Sequence, residues 1–334
     1  MHNLNTKIME KQDDLALMKV RSYRSVIAAG FKLYTENFRR LFKASWQMVL
    51  IYAVCCGAGG TLTSIQLPEM TMALMQQMVG TEPLPPEAVW RYGLMVIEVI
   101  GLAVLSVVTM GLASATILNK LKEHRETGAI TTPPRWLTAS PKLMWRTTKG
   151  IFLTLLVVAV PLLLFIGFLM LADTLSEQYT MRHLKTVAIA MSVFTIIVAL
   201  LSLPLMHVLM KYLMEAPCGY WRTLGQNYGR GMRHWGALFV VFFVSTLLVT
   251  LATLVVMLPA TILNMANQQA HSGLLIGDPL GMPTYIIPLT FVTFMLCSFI
   301  QFYMSQVTLV HNYYIYGSIE TQETEREQQK ISMQ

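Results

Sequence analysis

The chain reads as an all-α polytopic membrane protein, six transmembrane helices forming three hairpins with basic amphipathic helices on the cytoplasmic side. Three observations lead there. Of 334 residues, 54% are hydrophobic and 13% charged, whereas soluble domains carry about a quarter charged residues. Six apolar runs have about the 20 residues needed to cross a hydrocarbon core about 30 Å thick. Lysine and arginine, finally, fall almost wholly in alternate connections, the pattern that sets orientation in a bilayer.

The runs cover 45–64, 93–118, 150–172, 187–210, 237–263 and 285–315. Helix is the economical backbone for each, because a lone strand in hydrocarbon leaves its N–H and C=O groups unpaired. The sixth run is long enough to tilt or to continue beyond the bilayer.

Of the 25 basic residues, 22 lie in the segment before the first run, in the second-to-third and fourth-to-fifth connections, and in the tail. Only Arg91, Arg182 and Lys185 lie in the other connections. That asymmetry places both termini in the cytoplasm. It also accounts for the net charge of +7 without a nucleic-acid partner. Trp46, Trp90, Trp136, Trp145, Trp221 and Trp235 stand at or just outside the ends of the runs, at the headgroup level that indoles favour.

Three regions follow. Residues 1–44 form a cytoplasmic N-terminal segment, 45–317 the six-helix transmembrane domain, and 318–334 an acidic tail. Polar, basic residues 1–44 contain no apolar signal core, so the first span is expected to serve as the targeting signal. Glu320, Glu323, Glu325 and Glu327 make the tail a solvated end expected to be disordered. Cys55, Cys56, Cys218 and Cys297 offer neither a disulfide framework nor a metal motif.

Ahead of the first hairpin, Val26, Phe31, Tyr34, Phe38, Leu41 and Phe42 recur near helical spacing, with Arg24, Lys32, Arg39 and Arg40 between them. Such a helix is expected to lie along the cytoplasmic surface. The stretch before the third hairpin repeats its aromatics 197 positions later: Tyr23 with Tyr220, Phe31 with Tyr228, Phe38 with Trp235, Phe42 with Phe239. Before the second hairpin the likeness is weaker, although Ser140 and Pro141 make a good N-cap and first-turn pair. The organising unit is therefore an amphipathic helix followed by a hairpin, present three times.

The Gly30-Phe31, Phe38 and Leu41-Phe42 pattern, with the three-hairpin layout, resembles the six-helix bacterial membrane domain found alone or fused to glycerophosphodiester phosphodiesterases. That resemblance implies a bacterial inner membrane and a link to lipids. It brings no catalytic residue, because the soluble phosphodiesterase barrel has no counterpart here.

Polar side chains inside the runs are the candidate functional positions. Glu98 is the only acid among them, and intramembrane carboxylates are costly. It sits about five residues into the second run, about 7 Å below the outer surface, where it can couple protons or simply reach the headgroups. Thr61, Thr63, Ser64, Thr290 and Thr293 match its depth. In the sixth run Ser298, Gln301, Ser305, Thr308 and Asn312 share one helical face. Such a stripe lines a hydrated path or forms interhelical hydrogen bonds of about 0.6 to 2 kcal/mol each; packing being commoner, a closed seam is expected.

His207 and His311 fall near the cytoplasmic ends of their runs, where they can meet, but without a third ligand no metal is expected. Met70, Met72, Met75 and Met78 suit a helix resting on the membrane better than a copper site. No cofactor motif occurs, and HExxH, GxSxG, Walker and dinucleotide patterns are all missing.

These features predict a non-enzymatic membrane protein that packs against membrane lipids, a membrane-protein partner or a second copy of itself, through small-residue faces at Gly57, Gly59, Gly60, Gly111 and Ala115. The alternative is a carrier of a small or amphipathic solute, with kinks at Pro161 and Pro204; an enzyme ranks third. A cysteine placed at Ser272 in a cysteine-free background should react with a membrane-impermeant maleimide in intact cells, and one at Thr132 should not. Labelling at Thr132 from outside would overturn the orientation.

Overall fold

The computed structural model describes residues 16–79, 86–131, 139–175, 181–215, 218–276 and 283–333. Among them are seven helices: α1 (Tyr23–Val79), α2 (Pro86–Thr127), α3 (Pro141–Leu175), α4 (Met181–Met214), α5 (Tyr220–Arg233), α6 (Trp235–Ile276) and α7 (Ile286–Ser332). Six of these, all but α5, are long and apolar enough to cross a membrane, and no described residue is in a strand. The fold is that of a multi-pass membrane protein.

Local signals set the ends. Pro86 and Pro141 open α2 and α3 in the first turn, where a missing N–H costs nothing. Ser140 caps α3 by accepting from Leu143 N–H at 3.3 Å. Gly128, at φ 73°, ends α2 by donating to the His124 carbonyl at 2.9 Å, a left-handed turn that costs glycine no Cβ clash.

Tertiary packing changes two expectations. The stretch 23–42 is helical, but it continues without a break into the first span as part of the 57-residue α1. Its apolar face is taken up by protein: Val26, Leu33 and Leu41 are each 1% exposed within a core that includes Tyr313, Tyr314 and Tyr316 of α7. It is a packing surface before it is a lipid surface. The acidic tail, in turn, is helical to Ser332, because its carboxylates find basic partners on α4 and α5.

The three hairpins are α1–α2, α3–α4 and α6–α7, and they close into a ring in which α7 returns against α1. The lead-in of each hairpin lies against the second helix of the preceding one. At every such junction a glycine admits the close approach. A Cβ on Gly30 of α1 would stand 2.2 Å from His311 Cδ2 of α7; one on Gly111 of α2, 2.8 Å from Thr148 Cα of α3; one on Gly231 of α5, 2.9 Å from Pro204 Cβ of α4. Real Cβ atoms do not approach so closely, so these backbones meet only because the side chains are absent. Gly57 and Gly60 admit Met295 and Phe294 of α7 in the same way.

The repeat is visible in the element bounds as well. Tyr23 and Val79, the ends of α1, lie 197 positions before Tyr220 and Ile276, the outer ends of α5 and α6. Between α5 and α6 only His234 leaves the helix, at φ −104° and ψ 21°.

The core lies at the end bearing both termini, here the basal end. The second helix of each hairpin supplies it: Ile117, Leu118 and Leu121 from α2, Val208, Met210 and Leu213 from α4, Phe302, Val310 and Tyr313 from α7. Basic residues cap this layer from within. Arg146 donates to the Tyr212 and Glu215 carbonyls at the end of α4, and Arg125 reaches Met214 O at 3.3 Å. Away from this layer α3 and α4 touch little else; 6% of the most apolar stretch of each is buried, against 22% in α1 and 28% in α7.

Gly111→Leu should destabilise the detergent-solubilised protein by about 1 to 3 kcal/mol, the usual cost of overpacking, whereas Gly101→Leu on the same helix, with nothing within 4 Å of its Cβ position, should cost little. Thermal unfolding of the two variants checks the junction; equal melting temperatures would count against it.

Candidate functional site

Where the three hairpins meet lies a partly open cavity of about 620 Å³, with walls from α2, α3, α4, α6 and α7. Ligand sites are commonly of about 300 to 1,000 Å³. Leu118, Ile151, Val158, Leu162, Leu209 and Leu309 make most of the wall, and no charged side chain lines it.

Its polar groups are hydroxyls and amides. Thr147, Thr154, Ser202 and Ser305 donate to the carbonyls of Leu143, Gly150, Ala199 and Phe302 within their own helices, at 2.7 to 2.9 Å. Thr154 Oγ1 in turn accepts from Tyr220 OH at 2.8 Å, whereas Thr147 and Ser202 keep their lone pairs as acceptors. Asn312 Nδ2 has only the Met206 sulfur, at 3.8 Å. Gln306, 3% exposed, donates weakly to Ser305 Oγ at 3.4 Å, while its Oε1 has no hydrogen-bond partner. A buried acceptor left so costs about 1 to 3 kcal/mol.

The sixth-run stripe therefore divides. Ser305, Thr308 and Asn312 line the cavity and do not form the expected closed seam, Asn312 alone reaching α4, at the Met206 sulfur. Ser298 is buried and Gln301 half-buried, both outside the cavity. Gln306 was missed by spacing, since it sits one residue off the stripe. An amide within an apolar run was the available signal.

Glu98 is exposed and joins none of these groups. Of its expected partners, Thr61, Thr63 and Thr290 donate to their own helix carbonyls, and Ser64 accepts from Asn267 of α6 at 2.7 Å.

The two histidines find separate partners. His311 Nδ1 lies 2.6 Å from Ser245 Oγ, whose own proton goes to the Val241 carbonyl at 2.6 Å, which makes the His311 Nδ1–H the donor to the serine oxygen. His207 Nε2 stands 3.3 Å from Glu320 Oε1. His124 and His234, unremarked in the sequence, pair with Tyr313 OH at 3.0 Å and Glu323 Oε1 at 2.9 Å. Three of the four thus make a hydrogen bond on or beside α7, and His207 approaches Glu320 without one. Among the described residues no three His, Cys, Asp or Glu side chains gather as a metal site. Met72, Met75 and Met78 have side chains outside the described set.

Beyond the sixth apolar run, Lys211 Nζ meets Glu320 Oε2 at 2.7 Å, and Arg233 and Arg326 meet Glu323 at 2.8 and 3.0 Å. Burial pushes the Glu320 carboxyl up, but His207 and Lys211 outweigh it and hold the group at about 2. Burial likewise opposes ionisation of Glu323, and His234 and Arg233 again win, holding it below the ordinary value.

A multi-pass membrane protein with an uncharged central cavity is the class that fold and site define. Compared with known proteins, the chain matches no family model, no curated protein and no solved structure.

Glu320→Gln should destabilise the basal layer by about 2 kcal/mol, between the exposed and fully buried limits for breaking an ion pair. Since folding lowers the carboxyl's pKa, the stabilisation is complete above the ordinary carboxylate value of 4.5 and is lost as the pH falls toward about 2. Proteolysis of the α7 extension across that pH range, in wild type and variant, measures it.

Proposed function

We propose that this chain is a non-enzymatic protein of a bacterial inner membrane, both termini cytoplasmic, that holds or carries an uncharged amphipathic solute in its central cavity. Gln306 carries this reading: it lines a cavity of about 620 Å³, and its side-chain oxygen is buried without a hydrogen-bond partner. A solute with an apolar body and one hydroxyl or amide N–H would fill the cavity and satisfy that oxygen once the Gln306 side chain turns toward it. The lack of charge on the wall disfavours ions and proton coupling, and Glu98 stands apart from the chamber. Orientation rests on the 22-to-3 division of basic residues, and the bacterial inner membrane on the resemblance to the six-helix bacterial domain.

A second reading, in which the protein works by packing against a partner or a second copy, draws on the apolar surface of the α3–α4 hairpin. Leu163, Leu164 and Phe168 are 64%, 70% and 64% exposed there.

Gln306→Leu keeps the side chain's bulk and removes the orphan acceptor. The variant should fold at least as stably as wild type, yet lose about tenfold in affinity for whatever amphipathic molecule copurifies, as read by native mass spectrometry and lipid extraction. Ala159→Phe should occlude the chamber with the same result, and Glu98→Gln should change nothing. Retention of the same bound molecule in both cavity variants would refute the reading.

A further inference from the structure

A second apolar cleft, of about 480 Å³, lies on the flank of the ring between the lead-in of α1 and the α6–α7 hairpin. Phe31, Phe38 and Phe42 of α1 face Phe299 and Tyr303 of α7, and Leu248 and Ala252 of α6 complete the wall. The floor is pinned: Tyr34 OH donates to Tyr303 O at 2.6 Å, and the Phe42 and Tyr303 rings lie 5.2 Å apart. The mouth opens sideways, where Phe38, Leu248 and Ile300 are 40%, 43% and 49% exposed.

What distinguishes this cleft is its rim. Thr35, which lines it, is followed one and two turns on by Arg39 and Lys43, which stand on the adjoining face of α1 outside the lining. Both basic side chains are exposed, and neither has a hydrogen-bond or ion-pair partner among the described residues. Neighbouring Arg40, by contrast, is engaged with Asn37 and the Ile130 carbonyl. Arg39 and Lys43 also immediately precede the apolar run that starts at Ser45, at the depth of lipid headgroups.

The internal repeat supplies a comparison. A cleft of about 630 Å³ occupies the equivalent place between α5 and the α3–α4 hairpin, with Tyr228 where the first has Phe31. At the positions of Arg39 and Lys43 the later copy has Gly236 and Val240. On α5, Arg230 and Arg233 are spent on Glu327 and Glu323, and the exposed Arg222 lies at the start of the helix, before the lining residues. The two clefts therefore share an apolar wall and differ in charge at these two positions.

We propose that the α1 cleft is a binding site for an anionic phospholipid, with one acyl chain between the aromatic rings and the phosphate against Arg39 and Lys43. The apolar wall takes the chain, and the two unpaired cations select the headgroup, each contributing about a fivefold preference. The α5 cleft takes a chain without regard to headgroup charge. This site is separate from the central cavity, and neither proposal depends on the other.

The test uses full-length protein in nanodiscs of equal phosphatidylglycerol and phosphatidylcholine, with a trace of either lipid carrying a diazirine in mid-chain. After irradiation, adducts from the phosphatidylglycerol probe should concentrate in peptides covering 31–42, 248–252 and 299–307, several-fold above those from the phosphatidylcholine probe. Around the α5 cleft the two probes should label equally. Arg39→Gln with Lys43→Gln, both at exposed positions, should keep the fold and abolish the headgroup preference; Ala252→Trp should remove the adducts themselves. Equal labelling by both probes in the α1 cleft of the wild type would overturn the proposal, as would labelling there no denser than at the exposed Leu163 and Leu164.

Discussion

Everything in this fold depends on the seating of each hairpin's lead-in helix against the second helix of the hairpin before it. Helices in a membrane gain little from hydrophobic exclusion, since lipid is as apolar as leucine, and they associate where backbones approach closely enough for dense van der Waals contact. Gly30 against His311, Gly111 against Thr148 and Gly231 against Pro204 provide that approach at the three junctions. With all three made, the chain closes on itself, and the second helices of the hairpins are drawn together as one basal core.

Closing the ring leaves space beside the core it forms. The α3–α4 hairpin is held mainly by its basal ends, so space remains among α3, α4, α6 and α7, and that space is the central cavity. The same geometry explains the flank clefts, which form where a lead-in helix bridges to a neighbouring hairpin without filling the angle between them. Cavities and junctions are therefore two aspects of one packing scheme. Polar chemistry is divided accordingly: ion pairs and histidines bind α7 into the basal layer, while the cavity keeps only neutral hydrogen-bonding groups.

The basic residues of the connections serve two purposes that charge counting cannot separate. Arg40, Arg125 and Arg146 are turned inward onto carbonyl groups left over at chain turns and helix ends, which such ends require when water is scarce. Arg39 and Lys43 are left outside. From composition all five look alike, and only their surroundings separate the three that cap carbonyls from the two left exposed.

Sequence alone determined the number of crossings, their pairing into hairpins, the helical state of each span and the repeat at 197 positions, because hydrocarbon thickness and the need to satisfy every backbone group leave few alternatives. It also marked Ser305, Thr308 and Asn312 as a face turned toward protein. It did not separate a seam from a cavity, since that depends on how far the α3–α4 hairpin stands from α7. Nor did it find Gln306, whose single-residue offset from the stripe matters only once the cavity wall is known. The acidic tail was read as disordered because its glutamates have no partners within 318–334 besides Arg326 and Lys330; tertiary structure brought Lys211, Arg230 and Arg233 to them from over 80 residues away. Side-chain period and hydropathy are local quantities legible along the chain, whereas the partners of a charge and the shape of a void are set by the meeting of distant helices.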